Sequence, residues 1–486
     1  MFHHRRPIFI HRPQPTRLSV ARTGSRLGLL LALASIIAGC LSGLTIRDAR
    51  GTPENIISGT TPALASYLSG AQDQAIVVLV HGVGLHCPKY GLDRKSGWLN
   101  DDTAAGLKLT ALGDVGDPEF ISDADNRVGG VVDPKSGLYL TRREFAFQRA
   151  NKTQARVLVA EVTWSGLTAW IKNNQLAYDL SDPVPEGKPP TVACPAITEA
   201  TNPFPRQTLN KVIKENTLDL SLSDAVLYVG TYGAKIERGM AEVLCRLTSK
   251  QTYDATQICD WNSADPRQLN SRFIFMTHSI GSRIVYDTLL DLSGTASRGG
   301  ASAFSHAYRA TAHPATDRIV ENTKAIYMFA NQLPLLGLAN VPVTLRSDDG
   351  PVPVLEAMVL SDAESTNAKA AASIDPSRCG ANPIACFANL RTHSAGAQAA
   401  TIGPLDIVAF SDPNDLLTYG IPPWYVRDVG TLNLHITNVT MQNATHWLGL
   451  FEMPTSAHGN YMLKDSPAWR LVACGARDGS IACDKT

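Results

Sequence analysis

Four short pieces of this sequence carry side chains that could act on a carbonyl carbon. Ser279 sits in Thr277-His278-Ser279-Ile280-Gly281, between the apolar run Arg272–Thr277 and a helical stripe of Val285, Leu289 and Leu292. A serine hydroxyl is a weak nucleophile until a base holds it. A strained turn between strand and helix exposes such a hydroxyl above a sheet, and the residues flanking it must be small. Gly281 meets that requirement; Thr277 is larger. The plainer alternative is that Ser279 caps the helix that follows.

Upstream, Val-Leu-Val-His-Gly-Val-Gly places His81, Gly82, Val83 and Gly84 at the end of an apolar run. Glycines there let a backbone amide approach a developing oxyanion closely. Val83 is the expected first donor and Ile280, the residue after the serine, the second. A plain strand-end turn fits the same residues, and His81 with His86 could start a metal site, for which the nearby chain offers no third ligand. Downstream, Asp412 and Asp415 follow the run Leu405–Phe410. A histidine base needs a carboxylate to orient it and stabilise its cation. Asp415 is favoured, since Asp412 before Pro413 can simply open a turn. Three histidines follow. His435 lies in the strand-like Thr-Leu-Asn-Leu-His-Ile-Thr-Asn-Val as a packed sheet residue, and His446 precedes the apolar Trp-Leu-Gly-Leu-Phe. His458 lies in a loop before a last helix with Ser466 at its N-cap and Pro467 in its first turn, and is the expected base.

The elements that must position these groups alternate in type. Strands are expected at Ala75–Val80, Arg156–Trp164, Arg272–Thr277, Lys324–Ala330, Leu405–Phe410 and Thr431–Val439. The first reads as a strand buried on both faces. Ile236, Met240, Val243 and Leu247 share one helical face, and Leu-Thr-Ala-Trp-Ile after Trp164 starts another helix. This alternation predicts an α/β fold with a mostly parallel, doubly wound sheet. Long Gly-, Pro-, Asp- and Ala-rich stretches at about 85–155, 180–222 and 335–400 read as insertions. Leu333–Leu338, after a strand, is placed either in an acyl pocket or lid, or in the core.

Taken together, the strand with His-Gly, the elbow serine, the late acid and the final histidine resemble the α/β-hydrolase superfamily in its esterase and lipase branch. His278 before the serine is similar to the Gly-His-Ser-x-Gly spelling of bacterial lipases. The resemblance spans roughly Ala75–Gly475. It implies attack by Ser279 on an ester carbonyl, His458 as general base, Asp415 as its partner, an acyl-enzyme, and no cofactor or metal. Thioesterase or peptidase chemistry on the same triad, or a non-catalytic interaction protein on a hydrolase scaffold, are the alternatives.

The amino-terminal segment sets the compartment. Residues 1–26 hold six arginines and no acid, and Leu-Gly-Leu-Leu-Leu-Ala-Leu-Ala-Ser-Ile-Ile-Ala-Gly follows, ending at Cys40. That run is too short to span a bilayer and fits an export signal. Ile37-Ala38-Gly39-Cys40 resembles a bacterial lipobox, so residues 1–39 are expected to be removed, Cys40 lipidated, and 40–70 to form a tether. An ordinary secretory signal is the alternative, and Arg5-Arg6 only faintly suggests a twin-arginine signal. The hydrolase domain is expected over 71–486. Leu41, which is not aspartate, suggests by resemblance to enterobacterial sorting an outer-membrane lipoprotein facing the periplasm or the cell surface. Removing residues 1–39 takes six arginines from totals of 44 basic and 44 acidic groups, leaving 38 against 44, a formal charge of −6. With no basic run in the mature chain, nucleic acid is excluded as a partner. The expected partners are an ester substrate, small-molecule or lipid, and the membrane reached through the lipid. Eight further cysteines fit disulfides in an exported chain. Close spacing favours Cys379–Cys386, Cys474–Cys483 and Cys245–Cys259, leaving Cys87 with Cys194; a zinc site lacks any Cys-x-x-Cys spacing.

Overall fold

A computed structural model describes residues 44–486, apart from 53, 70–71, 73, 123–136, 183–193, 196, 203, 205, 296–301, 341–378, 380–381, 396–401, 427–432, 444–453 and 486. Cys40, Leu41, the lipobox and His446 lie outside the described residues.

Ten strands form one sheet: β1 Thr45–Asp48, β2 Gln74–Val80, β3 Leu109–Ala111, β4 Glu119–Ile121, β5 Leu138–Gln148, β6 Gln154–Thr163, β7 Arg272–His278, β8 Thr323–Phe329, β9 Leu405–Ser411 and β10 Leu434–Thr440. Their order is β1-β10-β9-β8-β7-β2-β6-β5-β3, with β4 also on β5. The six strands from β10 to β6 are parallel. Antiparallel strands close both edges. Successive residues of β2 enter opposite cores: Ile76, Val78 and Val80 one, Ala75, Val77 and Leu79 the other. That is why its sequence is apolar at every position rather than at alternate ones.

Eight helices matter to the site. They are α1 Gly166–Gln175, α2 Ser223–Val229, α3 Gly233–Thr248, α4 Gly281–Leu292, α5 His306–Asn322, α6 Pro383–Ala395, α7 Pro454–Gly459 and α8 Pro467–Cys474. Helices α3 to α6 bury their apolar residues on one face of the sheet, and α8 covers the other with Leu64, Leu68 and Tyr461. The expected α3 stripe of Ile236, Met240, Val243 and Leu247 is buried throughout. The mostly parallel α/β sheet is therefore as expected. After β2 the chain runs to one edge through β3, β4 and β5, returns to β6 beside β2, and then crosses to β7 on the other side of β2. Loops diverge at the carboxyl ends of strands flanking such a reversal, leaving a crevice where ligands bind in open α/β sheets.

Four expectations need correction. The stretch 85–155 is not mainly an excursion, since β3, β4 and the eleven-residue β5 extend the sheet from within it. The supposed tether contains β1, an edge strand, and a short helix, Leu64–Leu68. Residues 208–222 are helical (Thr208–Lys211, then a π-helix over Val212–Leu222), and Pro383–Ala395 is a packed helix inside the third stretch. Cys245–Cys259, Cys379–Cys386 and Cys474–Cys483 pair as their close spacing suggested, and the remaining Cys87 pairs with Cys194. Among the described residues no helix is long and apolar enough to cross a membrane.

Candidate active site

Ser279 follows β7 directly and has φ +54°, a left-handed conformation that non-glycine residues rarely adopt. Its amide donates to the carbonyl of Phe329 at 2.7 Å, and its carbonyl accepts from the Ser282 hydroxyl at 3.0 Å. These bonds hold the turn in its strained form. Gly281 is required by packing, because a Cβ there would lie 2.7 Å from the Val80 carbonyl and 2.8 Å from that of His81. Gly82 is required likewise, at 2.5 Å from the Ser279 Cβ. The unexpected Thr277 is accommodated for a specific reason. Its side chain is buried and its hydroxyl donates to the Tyr327 carbonyl on β8 at 3.1 Å.

His458 comes from α7, a short helix rather than the loop anticipated. Its Nε2 lies 3.1 Å from Ser279 Oγ, and its Nδ1 lies 2.9 Å and 3.1 Å from the two carboxylate oxygens of Asp415. The partners assign the tautomer: Nδ1–H donates to the carboxylate, and Nε2 accepts from the serine hydroxyl. Asp415 is itself aimed by the Leu417 amide, which donates to Oδ1 at 3.0 Å. Asp412 serves the turn. It accepts from the amides of Asn414 at 2.8 Å and Asn443 at 2.6 Å, and burial raises its pKa despite those donors.

His278 has a positioning role that its place in the sequence did not reveal beyond its spelling. Its Nε2–H donates to the backbone carbonyl of His458 at 2.8 Å. Burial, then the neighbouring His458, lowers its pKa well below the usual histidine value, so it stays a neutral donor. Asn443 also supports α7, donating from Nδ2 to the Ala457 carbonyl at 2.5 Å. His435 does not approach the serine. It lies on β10, half exposed rather than packed, 3.2 Å from Asp406, whose hydrogen bond raises its pKa.

Ile280 follows Ser279 in the chain, and Val83 lines the cavity. The turn holding Val83 is clamped by groups outside the expected set. The Gly84 amide donates to Asp224 Oδ2 at 2.7 Å, and Asp224 Oδ1 pairs with Lys172 at 2.7 Å, both side chains fully buried. His81 stacks on Trp164 with ring centres 4.7 Å apart. Its Nε2 accepts the Trp164 amide at 3.0 Å and its Nδ1 donates to the Gly82 carbonyl at 2.6 Å. Those bonds assign His81 to holding the turn rather than to ligating a metal. Burial keeps it neutral, and pushes His86 down to about 4.

The cavity beside Ser279 is about 190 Å³. Val83, Trp98, Leu416 and Leu417 give it an apolar wall, while Thr217 and Ser221 reach it from the π-helix. Leu333 and Leu336 instead join the core, and Leu338 points to solvent, so this segment lines no part of the cavity. Chemically, the arrangement presents a hydroxyl, an imidazole and a buried carboxyl group in series, beside an apolar recess. No family model, curated protein or solved structure matches this chain.

Proposed function

We propose that this chain is a lipid-anchored serine hydrolase of the α/β-hydrolase superfamily that cleaves carboxylic esters. The observation that carries the reading is one histidine bridging serine and carboxylate, 3.1 Å from Ser279 Oγ and 2.9 Å from Asp415. Support also comes from topology. Ser279, Asp415 and His458 follow β7, β9 and β10 in chain order at the carboxyl ends of parallel strands, the order of serine, acid and histidine in that superfamily. Its anchoring rests on the lipobox-like Ile37-Ala38-Gly39-Cys40, and its placement in the cell envelope on that and Leu41.

In this mechanism Ser279 Oγ attacks the acyl carbon as its proton passes to His458 Nε2. The amides of Val83 and Ile280 stabilise the oxyanion. The ester oxygen leaves as an alcohol, taking the proton from His458. Water then attacks the acyl-serine, giving its hydroxyl to the acyl group and its remaining proton, through His458, back to Ser279. Asp415 keeps the ring oriented and offsets its transient charge.

Ser279→Ala tests the assignment. It should keep its fold, lose labelling by a fluorophosphonate, and lose aryl-ester turnover by about 10⁴-fold or more. Substantial turnover by the folded variant would refute it.

A further inference from the structure

The register of the edge strand fixes where the anchor leaves the fold. Strand β1 runs antiparallel to β10, with Thr45 opposite Thr440 and Asp48 opposite Thr437. Strand β10 is parallel to β9, with Thr440 opposite Ser411. The amino end of β1 therefore lies at the carboxyl ends of the parallel strands, where Ser279, Asp415 and His458 are gathered. Two strand spacings, about 10 Å, separate Thr45 from Ser411. Ser411 leads straight into the turn in which the Asp412 carbonyl accepts the Asp415 amide at 3.0 Å. Cys40 precedes Leu44 by four residues, which reach at most about 14 Å when fully extended. The other ends of β9 and β10 lie about 20 Å further from that exit.

The rim at this end suits an apolar phase. Leu416 borders the cavity yet is 66% exposed, and Tyr419 on the same loop is 42% exposed. Across the opening, the π-helix that lends Thr217 and Ser221 to the cavity exposes Ile213 and Leu218. Exposed apolar side chains around a cavity mouth mark an interaction surface, and the short anchor brings a bilayer to this one.

We propose that the cavity above Ser279 opens onto the leaflet holding the Cys40 lipid, and that the ester it cleaves belongs to a lipid of that same leaflet. This rests on the ester-hydrolase and lipoprotein reading above. The reaction is the same hydrolysis: water's hydroxyl ends on the released fatty acid and its proton on the lipid alcohol.

The test uses the full lipidated protein in vesicles of phosphatidylethanolamine and phosphatidylglycerol. Bimane is attached at Leu416→Cys, and in a second protein at Arg267→Cys, an exposed position just before β7 at the opposite end. Brominated acyl chains should quench the label at 416 and leave that at 267 bright. Tyr419→Cys gives the same reading if the first variant folds poorly. Equal quenching at both ends, or quenching at 267 alone, overturns the orientation. For the substrate, a fluorogenic diacylglycerol is placed either in the protein's own vesicles or in separate protein-free ones. Turnover should be confined to the shared vesicles and vanish in Ser279→Ala; equal turnover in both overturns the same-leaflet assignment. A soluble aryl ester separates the two readings. If it is hydrolysed while the 416 label stays bright, the orientation fails and the hydrolase stands. If the 416 label is quenched but neither ester is cleaved, the hydrolase reading has failed.

Discussion

Asp412 and Asp415 share one loop, and their partners separate their roles. Asp415 meets His458 with both oxygens, so Asp415→Asn should cut acylation by about 10³- to 10⁴-fold, because an amide favours the wrong tautomer and offers no charge to the imidazolium. Asp412 accepts two amides, from Asn414 and Asn443. An asparagine there keeps one acceptor and turns an N–H toward the other donor, at a cost of about 1–2 kcal/mol in stability. Asp412→Asn should therefore lower the urea midpoint while activity in the remaining folded protein falls far less. Rates normalised to folded protein check this, and a larger catalytic loss at 412 would reverse the assignment. That Ser279, Asp415 and His458 would come together was legible because the proposed chemistry and the chain order constrain them together. His278 was legible only as a neighbour of the serine, since its bond to the His458 carbonyl depends on how two distant segments meet.

At the scale of elements, Glu161 on β6 shows how a strand holds a loop. Fully buried, it accepts the amides of Lys89 at 2.6 Å, Gly91 at 2.7 Å and Leu92 at 3.0 Å, and the Thr163 hydroxyl at 3.1 Å. That loop leads to Trp98 on the cavity wall. Burial outweighs those donors and raises the Glu161 pKa from 4.5 to about 7. Between those values the folded carboxyl binds its proton more tightly than the unfolded one, so stability falls as pH rises. The loss amounts to about 3 kcal/mol at most. Glu161→Gln has no such titration. Relative to that variant, the wild type should lose stability steadily from pH 4.5 to about 7; melting curves that run parallel would exclude the effect. Sequence patterning identified β2 and β7 because both faces of each are buried. It passed over β5, where Arg142 and Arg143 interrupt the apolar pattern. Arg143 is nonetheless buried, with its guanidinium over Phe145 at 4.8 Å and an ion pair to Asp101 at 2.5 Å. Strand β1 was hidden for a different reason: four residues make too short a pattern, and only pairing with β10 defines them.

Across the whole molecule, the four cross-links close loops of very different lengths, and that difference makes a prediction. Cys87–Cys194 joins residues 107 apart, tying the segment after the Val83 turn to a distant stretch, whereas Cys379–Cys386 joins residues 7 apart. A cross-link that acts by restricting the unfolded chain stabilises more as its loop lengthens, by about 5 kcal/mol for the first and about 2 kcal/mol for the second. Close spacing in the sequence already favoured Cys379–Cys386 and left Cys87 with Cys194; their unequal value follows only from the pairing. Cys87→Ser/Cys194→Ser should thus lower the unfolding free energy about twice as much as Cys379→Ser/Cys386→Ser, both measured by urea titration of the oxidised proteins. The longer link should also raise the urea dependence more when removed, because the unfolded chain gains more room to expand. Ester turnover should respond differently. Loosening the segment beside Val83 and His86 should raise KM or lower kcat at temperatures well below melting, while loss of the 379–386 link, which forms no part of the cavity wall, should leave both unchanged. Equal destabilisation by the two pairs would mean that native-state strain or residual structure in the unfolded chain, rather than loop length, governs what these cross-links contribute.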